Sequence, residues 1–118
     1  MISVVIADDQ PAVRDGLRMR LGLEVDIKVT GEASDGREAL DVVIMDLEMP
    51  VMDGLAATRR LQSLAPDCRV IILTIHDDDT NRKKAREAGA AGFVSKHADD
   101  IVLLNAIRAL ANHSNGDK

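Results

Sequence analysis

The 118 residues suffice for one domain with one core, and the 46% hydrophobic content excludes an intrinsically disordered chain. A net charge of −5 and a single aromatic residue other than histidine, Phe93, argue against nucleic-acid binding by a positive field or by base stacking. One cysteine excludes an internal disulfide, and the lack of a long apolar run or a secretory leader predicts a cytoplasmic protein with no membrane association.

The first part of the chain predicts two strands with a helix between them. Residues 2–7 are apolar at consecutive positions, which is typical of a strand that is buried on both faces. Pro11 suits a first helical turn, and apolar residues recur four apart in the helix that follows it. Residues 27–30 predict a more polar strand, which suits the edge of a sheet.

The next predicted strand covers residues 42–45. The connection that leads to it from the edge strand is unusually short. As a helix, residues 35–40 would rise only about 9 Å at ~1.5 Å per residue. A parallel crossover usually takes roughly a dozen residues and is expected to return the length of a strand, about 17 Å for five residues. The second helix is therefore predicted to be truncated or, as we favour, residues are missing between Leu40 and Asp41.

The rest of the chain continues the alternation of helices and strands. Pro66 and Gly89 mark helix ends, and the acids with a hydroxyl from Asp77 to Thr80 suit a helix start. The remaining predicted elements are helices at 55–64, 77–89 and 99–112 and strands at 70–73 and 92–95.

This order of elements predicts the α/β class. We expect a doubly wound sheet of five parallel strands in the flavodoxin-like order 2-1-3-4-5, with right-handed crossovers and helices on both faces. We assign residues 1–112 to this single domain and residues 113–118 to a polar tail.

Polar side chains follow the predicted strands at their carboxyl ends. Open α/β sheets bind ligands at this edge, where the strand order reverses between strands one and three. Each such residue by itself could equally be a helix cap, a strand-end hydroxyl or a surface lysine with no role in a site. Their joint occurrence at four strand ends argues against coincidence. Asp8 and Asp9 follow the first strand, Asp46 the third, Thr74 the fourth and Lys96 the fifth.

This set of side chains predicts phosphoryl chemistry with a magnesium ion. Carboxylates in one crevice repel one another, and Mg²⁺, which prefers oxygen ligands, relieves that repulsion. A carboxylate can act as a nucleophile and form an acyl phosphate, while Lys96 offers a point charge and Thr74 a hydroxyl donor. No strong general base accompanies them, which favours a phosphoryl store over a fast hydrolase.

Five motifs resemble the receiver domain of two-component response regulators. They are VVIADD at 4–9, VIMDLEMP at 43–50, MDG at 52–54, IILT at 71–74 and AAGFVSK at 90–96. The resemblance implies that Asp46 is the phosphoacceptor, charged by a sensor histidine kinase or by small phosphodonors. It also implies that phosphorylation and dephosphorylation are slow and self-catalysed, so that the chain is a switch and not an enzyme.

The resemblance also assigns ligands and moving parts. Thr74 would be the switch hydroxyl and Phe93 the rotating aromatic, although Phe93 also suits a plain core position. Pro50 and Gly54 would frame the site. Mg²⁺ would be held by the side chains of Asp9 and Asp46, by Asp8 partly through water, and by the backbone carbonyl of Glu48.

Residues 31–36 and 56–61 resemble the NarL/FixJ-type branch of this family, which tolerates His97 where many receivers have proline. That branch implies transcription regulation through a C-terminal helix-turn-helix, which is absent here. DNA is therefore expected as a partner only through a missing output domain, unless the chain is a stand-alone regulator. The last helix is apolar around most of its circumference, which predicts a homodimer surface or, alternatively, a deeply packed helix.

Three other functions fit the sequence less well. An aspartyl-nucleophile phosphatase would use Glu48, two residues after Asp46, as a general acid, but Pro50 follows and no hydroxyl motif accompanies it. A flavodoxin-like cofactor binder would need a glycine-rich phosphate loop and stacking aromatics, which this chain lacks. A degenerate receiver used only for protein contacts would not need the complete acidic set.

Overall fold

The computed structural model describes residues 1–8, 10–30, 41–47 and 53–116, with side chains described as far as residue 111. No helix in these segments has the length and apolarity that crossing a membrane requires. The elements are β1 (Ile2–Ala7), α1 (Pro11–Gly22), β2 (Ile27–Val29), β3 (Val42–Asp46), α2 (Gly54–Leu64), β4 (Arg69–Thr74), α3 (Asp79–Ala88), β5 (Gly92–Ser95) and α4 (Asp100–Gly116).

The five strands form one sheet in the order β2-β1-β3-β4-β5, and every strand pair is parallel. One apolar layer packs α1 and α4 against the sheet through residues such as Leu21 and Ile107. The opposite layer packs α2 and α3 through residues such as Ala57 and Ala85. The predicted doubly wound fold is confirmed, because consecutive apolar residues in the central strands cover both layers.

Local sequence signals set the ends of the helices. Pro11 is the first residue of α1, where its missing N–H has no helical partner in any case. The Asp53 carboxylate accepts the Leu55 N–H at 3.0 Å before α2, and the Asp78 carboxylate accepts the Asn81 N–H at 2.8 Å before α3. After α3 the chain turns at Gly89, whose φ of 103° lies in the left-handed region.

The crossover between β2 and β3 is shorter than a typical one because the two strands are staggered along β1. Val29 and Val42 both lie opposite Val4, so β2 ends at the level where β3 begins. The two points are two strand spacings apart, roughly 10 Å, and the expectation that the chain must return the length of a strand is wrong. The predicted second helix, and the link from Leu40 to Asp41, lie outside the described residues.

The last helix is longer than the sequence pattern predicts. The pattern predicts a helix end at Asn112 and a tail after it, but α4 continues to Gly116. The apolar pattern marks only the part of a helix that faces the core, whereas backbone hydrogen bonds extend into polar residues as well.

Candidate functional site

Three of the predicted residues converge at the carboxyl edge of the sheet. Asp8 follows β1, Asp46 ends β3, and Lys96 follows β5. The Lys96 ammonium lies 3.1 Å from a carboxylate oxygen of Asp8 and 3.5 Å from one of Asp46. Strands that are separated in sequence therefore place two acids around one cation, at the strand-order reversal where the sequence predicts a site.

These charges are largely removed from water. Asp8 and Asp46 are each 7% exposed, and the Lys96 side chain is 18% exposed. Buried charges are stable only with partners, and here one ammonium faces two carboxylates. With two carboxylates and one ammonium, these three side chains together carry a net negative charge.

Two further contacts hold the backbone around Asp8. Its second carboxylate oxygen accepts the Gln10 N–H at 2.9 Å, which closes a local turn at the end of β1. The guanidinium of Arg14 donates to the Asp8 carbonyl at 2.6 Å and ties the first turns of α1 to that turn. Sequence reasoning missed Arg14, and the only available signal was an arginine near the start of the helix that follows the acidic pair.

Gly54 is required where the start of α2 lies against the end of β3. A Cβ atom at this position would overlap the backbone oxygen of Asp46, so no other residue fits without a shift of the backbone. The Gly54 N–H also donates to the Leu47 carbonyl at 3.2 Å. The start of α2 can therefore lie directly against the end of β3, which fixes the backbone that carries Asp46.

Thr74 lies at the same edge, one residue beyond Leu73, the register partner of Asp46. It is 1% exposed, and its hydroxyl accepts the His76 N–H at 3.0 Å. Its carbonyl accepts the Lys96 N–H at 2.8 Å, which anchors the backbone of the lysine to β4.

Phe93 stands apart from the carboxylates. It is half-buried on the α2 and α3 side of the sheet and is paired in register with Ile72. Thr74 lies two residues beyond Ile72 and shares that side of the sheet. The structure thus brings Asp8, Asp46 and Lys96 together and places Phe93 behind Thr74.

The chemistry of the donors fits a hard divalent cation. Two buried carboxylates with one compensating ammonium leave oxygen donors and negative charge of the kind that Mg²⁺ prefers. Two predicted ligands, Asp9 and Glu48, lie outside the described residues. Within the described part of the chain, no group of three or more His, Cys, Asp or Glu side chains is placed to hold a metal.

Comparison with known proteins gives a single consistent result. Residues 4–108 match the response regulator receiver domain family. The response regulator UvrY of Escherichia coli (strain K12) is 41% identical, over 93% of this chain and 54% of that protein. The oxygen regulatory protein NreC of Staphylococcus carnosus is 38% identical, over 92% of this chain and 54% of that protein. The chain therefore spans about half the length of these curated relatives.

Solved structures agree with the sequence comparison. A LuxR-family two-component response regulator from Aurantimonas is 33% identical with a TM-score of 0.85, over 94% of this chain and 85% of that one. The signal receiver domain of a NarL response regulator from Mycobacterium tuberculosis is 31% identical with a TM-score of 0.77, over 98% of this chain and 97% of that one.

Proposed function

Because this chain belongs to the receiver domains of two-component response regulators, in the NarL/FixJ branch, we propose that Asp46 is its phosphoacceptor. The family is a signalling switch and not a classical enzyme. The observation that carries the proposal is the convergence of Asp8 and Asp46 on the Lys96 ammonium, at the edge where the strand order reverses.

The proposed reaction transfers a phosphoryl group to a carboxylate. An oxygen of Asp46 attacks the phosphorus of the donor, the bond from phosphorus to the donor breaks, and an acyl phosphate forms. The Lys96 ammonium then interacts with a phosphoryl oxygen as a point charge. Asp8, Asp9, Asp46 and the Glu48 carbonyl would hold Mg²⁺, which supplies neutralisation of the phosphoryl charge when bound.

Thr74 would couple the phosphorylation of Asp46 to a movement of the loop that follows β4. Its hydroxyl oxygen accepts the His76 N–H, so a movement of the hydroxyl to donate to a phosphoryl oxygen would displace the loop that follows β4. Phe93, behind Thr74 on the same side of the sheet, would respond to that change. With no strong general base among the predicted residues, phosphorylation and hydrolysis are expected to be slow.

The proposed partners follow from the family. A sensor histidine kinase would supply the phosphoryl group in the cytoplasm, as would small phosphodonors. DNA would be reached only through an output domain outside this chain, since the curated relatives are about twice as long. The RcsB structure from Salmonella enterica, 27% identical over 92% of this chain and 67% of that one with a TM-score of 0.81, is bound to a promoter in the presence of a phosphomimetic.

A second copy of this chain is the other proposed partner. On α4, Ile101 is 52% exposed and Val102 is 45% exposed, although the same helix buries Leu104 and Ile107 in the core. Apolar side chains left in water beside a packed face are typical of an interaction surface. We propose that this outer face of α4 forms the homodimer.

Beryllofluoride with Mg²⁺ tests the assignment of Asp46. The wild-type chain should respond with chemical-shift changes at Asp46, Thr74 and Lys96, because the ion imitates a phosphoryl group on a carboxylate. Asp46→Asn removes the acceptor oxygen and should abolish the response. A response that survives Asp46→Asn would contradict the assignment, and turnover of a phosphoester substrate would indicate the phosphatase alternative instead.

A further inference from the structure

Phe93 makes a specific contact with a charged residue of the neighbouring helix. The guanidinium carbon of Arg82, on α3, lies 4.7 Å from the centroid of the Phe93 ring. That distance is well within the range at which a cation is attracted to the face of an aromatic ring. The contact joins α3 to β5 on the side of the sheet that carries Thr74.

The same guanidinium also pairs with the loop that precedes α3. A terminal nitrogen of Arg82 lies 2.5 Å from a carboxylate oxygen of Asp77. The Arg82 side chain is 43% exposed and that of Asp77 is 37% exposed, so each contact is individually weak. Together they make Arg82 a bridge between the ring and residues 75–78.

This loop is fixed at its other end by Thr74. The His76 N–H donates to the Thr74 hydroxyl at 3.0 Å, and the His76 carbonyl accepts the Asn81 amide at 3.3 Å. Contacts therefore run from Thr74 through the loop to Arg82, and from Arg82 to the Phe93 ring.

The ring has space beside it. A cavity of about 230 Å³ lies between α3 and β5 and is lined by Arg82, Arg86 and Phe93 together with small residues. A half-buried ring next to open volume can adopt more than one orientation. A contact on the face of the ring therefore favours one of these orientations.

We propose that Arg82 is a positioning residue that holds Phe93, through its bridge to Asp77, in the arrangement of the unphosphorylated chain. The inference rests on the proposed phosphorylation of Asp46. When the Thr74 hydroxyl moves to donate to a phosphoryl oxygen, the bond that it accepts from the His76 N–H is broken by that movement. The loop then moves, Asp77 separates from Arg82, and the ring is released. Since the bridge exists only before phosphorylation, it opposes the change, and removing it favours the phosphorylated arrangement.

The test uses the ring itself as the reporter. The chain has one Phe and no Trp or Tyr, so 4-fluorophenylalanine places a single fluorine nucleus at Phe93. Without beryllofluoride, the fluorine resonance of Arg82→Gln should move toward the position that wild type reaches with beryllofluoride and Mg²⁺. The beryllofluoride midpoint should fall by about threefold to tenfold, and Asp77→Asn should shift it the same way.

Lys83→Gln is the matched control, because it removes the same charge from an exposed position of the same helix. Among the described residues, the side chain of Lys83 has no hydrogen bond, ion pair or ring contact, unlike that of Arg82. Arg82→Gln spectra and midpoints equal to those of Lys83→Gln would overturn the inference. If the wild-type chain does not respond to beryllofluoride, the proposed function is overturned instead. The fluorine spectra recorded without beryllofluoride would still report on the bridge formed by Arg82.

Discussion

Lys96 is the residue on which the charge balance of the site depends. Its ammonium is the one cation that the described residues place between Asp8 and Asp46. Two carboxylates that face each other without a cation would repel one another in a poorly solvated crevice. The lysine therefore stabilises the two carboxylates as well as serving the proposed phosphoryl contact.

Lys96→Met should destabilise the chain and make it more dependent on magnesium. We expect the free energy of unfolding without Mg²⁺ to fall by about 1–3 kcal/mol, since a buried charge loses its partner. Added Mg²⁺ should then raise the melting temperature more in the variant than in wild type, because the cation replaces the missing charge. Circular dichroism during thermal unfolding, with and without Mg²⁺, measures both effects.

Lys28→Met controls for the loss of a positive charge, since Lys28 is an exposed residue of the edge strand β2. It should behave as wild type in both conditions. Equal magnesium-induced increments in Lys96→Met and Lys28→Met would contradict the role given to Lys96.

At the scale of elements, ion pairs as well as apolar packing join α4 to α1 and to the segment between α1 and β2. Arg108 of α4 donates to both carboxylate oxygens of Asp26 at 2.9 Å and to Glu24 at 2.6 Å. Arg20 of α1 pairs with Glu24 at 2.9 Å and with Asp100, at the start of α4, at 3.0 Å. These ion pairs link α4 to the end of α1 and to the segment that follows it.

These ion pairs make the stability of the chain depend on pH. Hydrogen bonds from Arg108, and for Glu24 also from Arg20, hold the pKa values of Glu24 and Asp26 below their ordinary range. A carboxyl whose folded pKa is lowered contributes stability that is complete above its ordinary pKa. That contribution is lost as the pH falls through the lower folded value.

Arg108→Met should therefore cost stability at neutral pH and much less in acid. The difference in urea-unfolding free energy between wild type and Arg108→Met should be largest at about pH 7 and should narrow below about pH 4, where the carboxyls protonate. Arg18→Met, at an exposed position of α1, should show no such narrowing. A difference that stays constant through the acid range would contradict the ionic origin.

At the scale of the whole molecule, the exposed apolar residues of α4 are the proposed contact between two copies of the chain. Ile101 and Val102 are exposed next to a helix face that is fully packed against the sheet. A charge in the middle of such a surface prevents a second copy from packing there, because it would be desolvated without a partner.

Ile101→Glu should abolish dimer formation in the presence of beryllofluoride and Mg²⁺, as measured by sedimentation velocity. Leu64→Glu is the control, since Leu64 is 72% exposed on α2 at the opposite side of the sheet. A wild-type chain that is strictly monomeric with and without beryllofluoride would sink the dimer proposal.

Much of the fold could be predicted from local signals. The doubly wound sheet follows from strands that are apolar at consecutive positions, and the helix ends follow from Pro11, Asp78 and Gly89. The fold also brought together Asp8, Asp46 and Lys96, because parallel strands end at a common edge. Burial of the strands and the helix ends can be read from local residues, and the convergence of the three side chains follows from the parallel strand order that this pattern predicts.

Tertiary structure alone decided the rest. Three features have no periodic signal in the sequence. They are the stagger that brings Val29 and Val42 level with Val4, the end of α4 at Gly116, and the bridge from Asp77 through Arg82 to Phe93. The physical reason is that a sequence pattern records which face of an element is buried. Register, helix length beyond the core and long side-chain contacts depend on how separate elements meet.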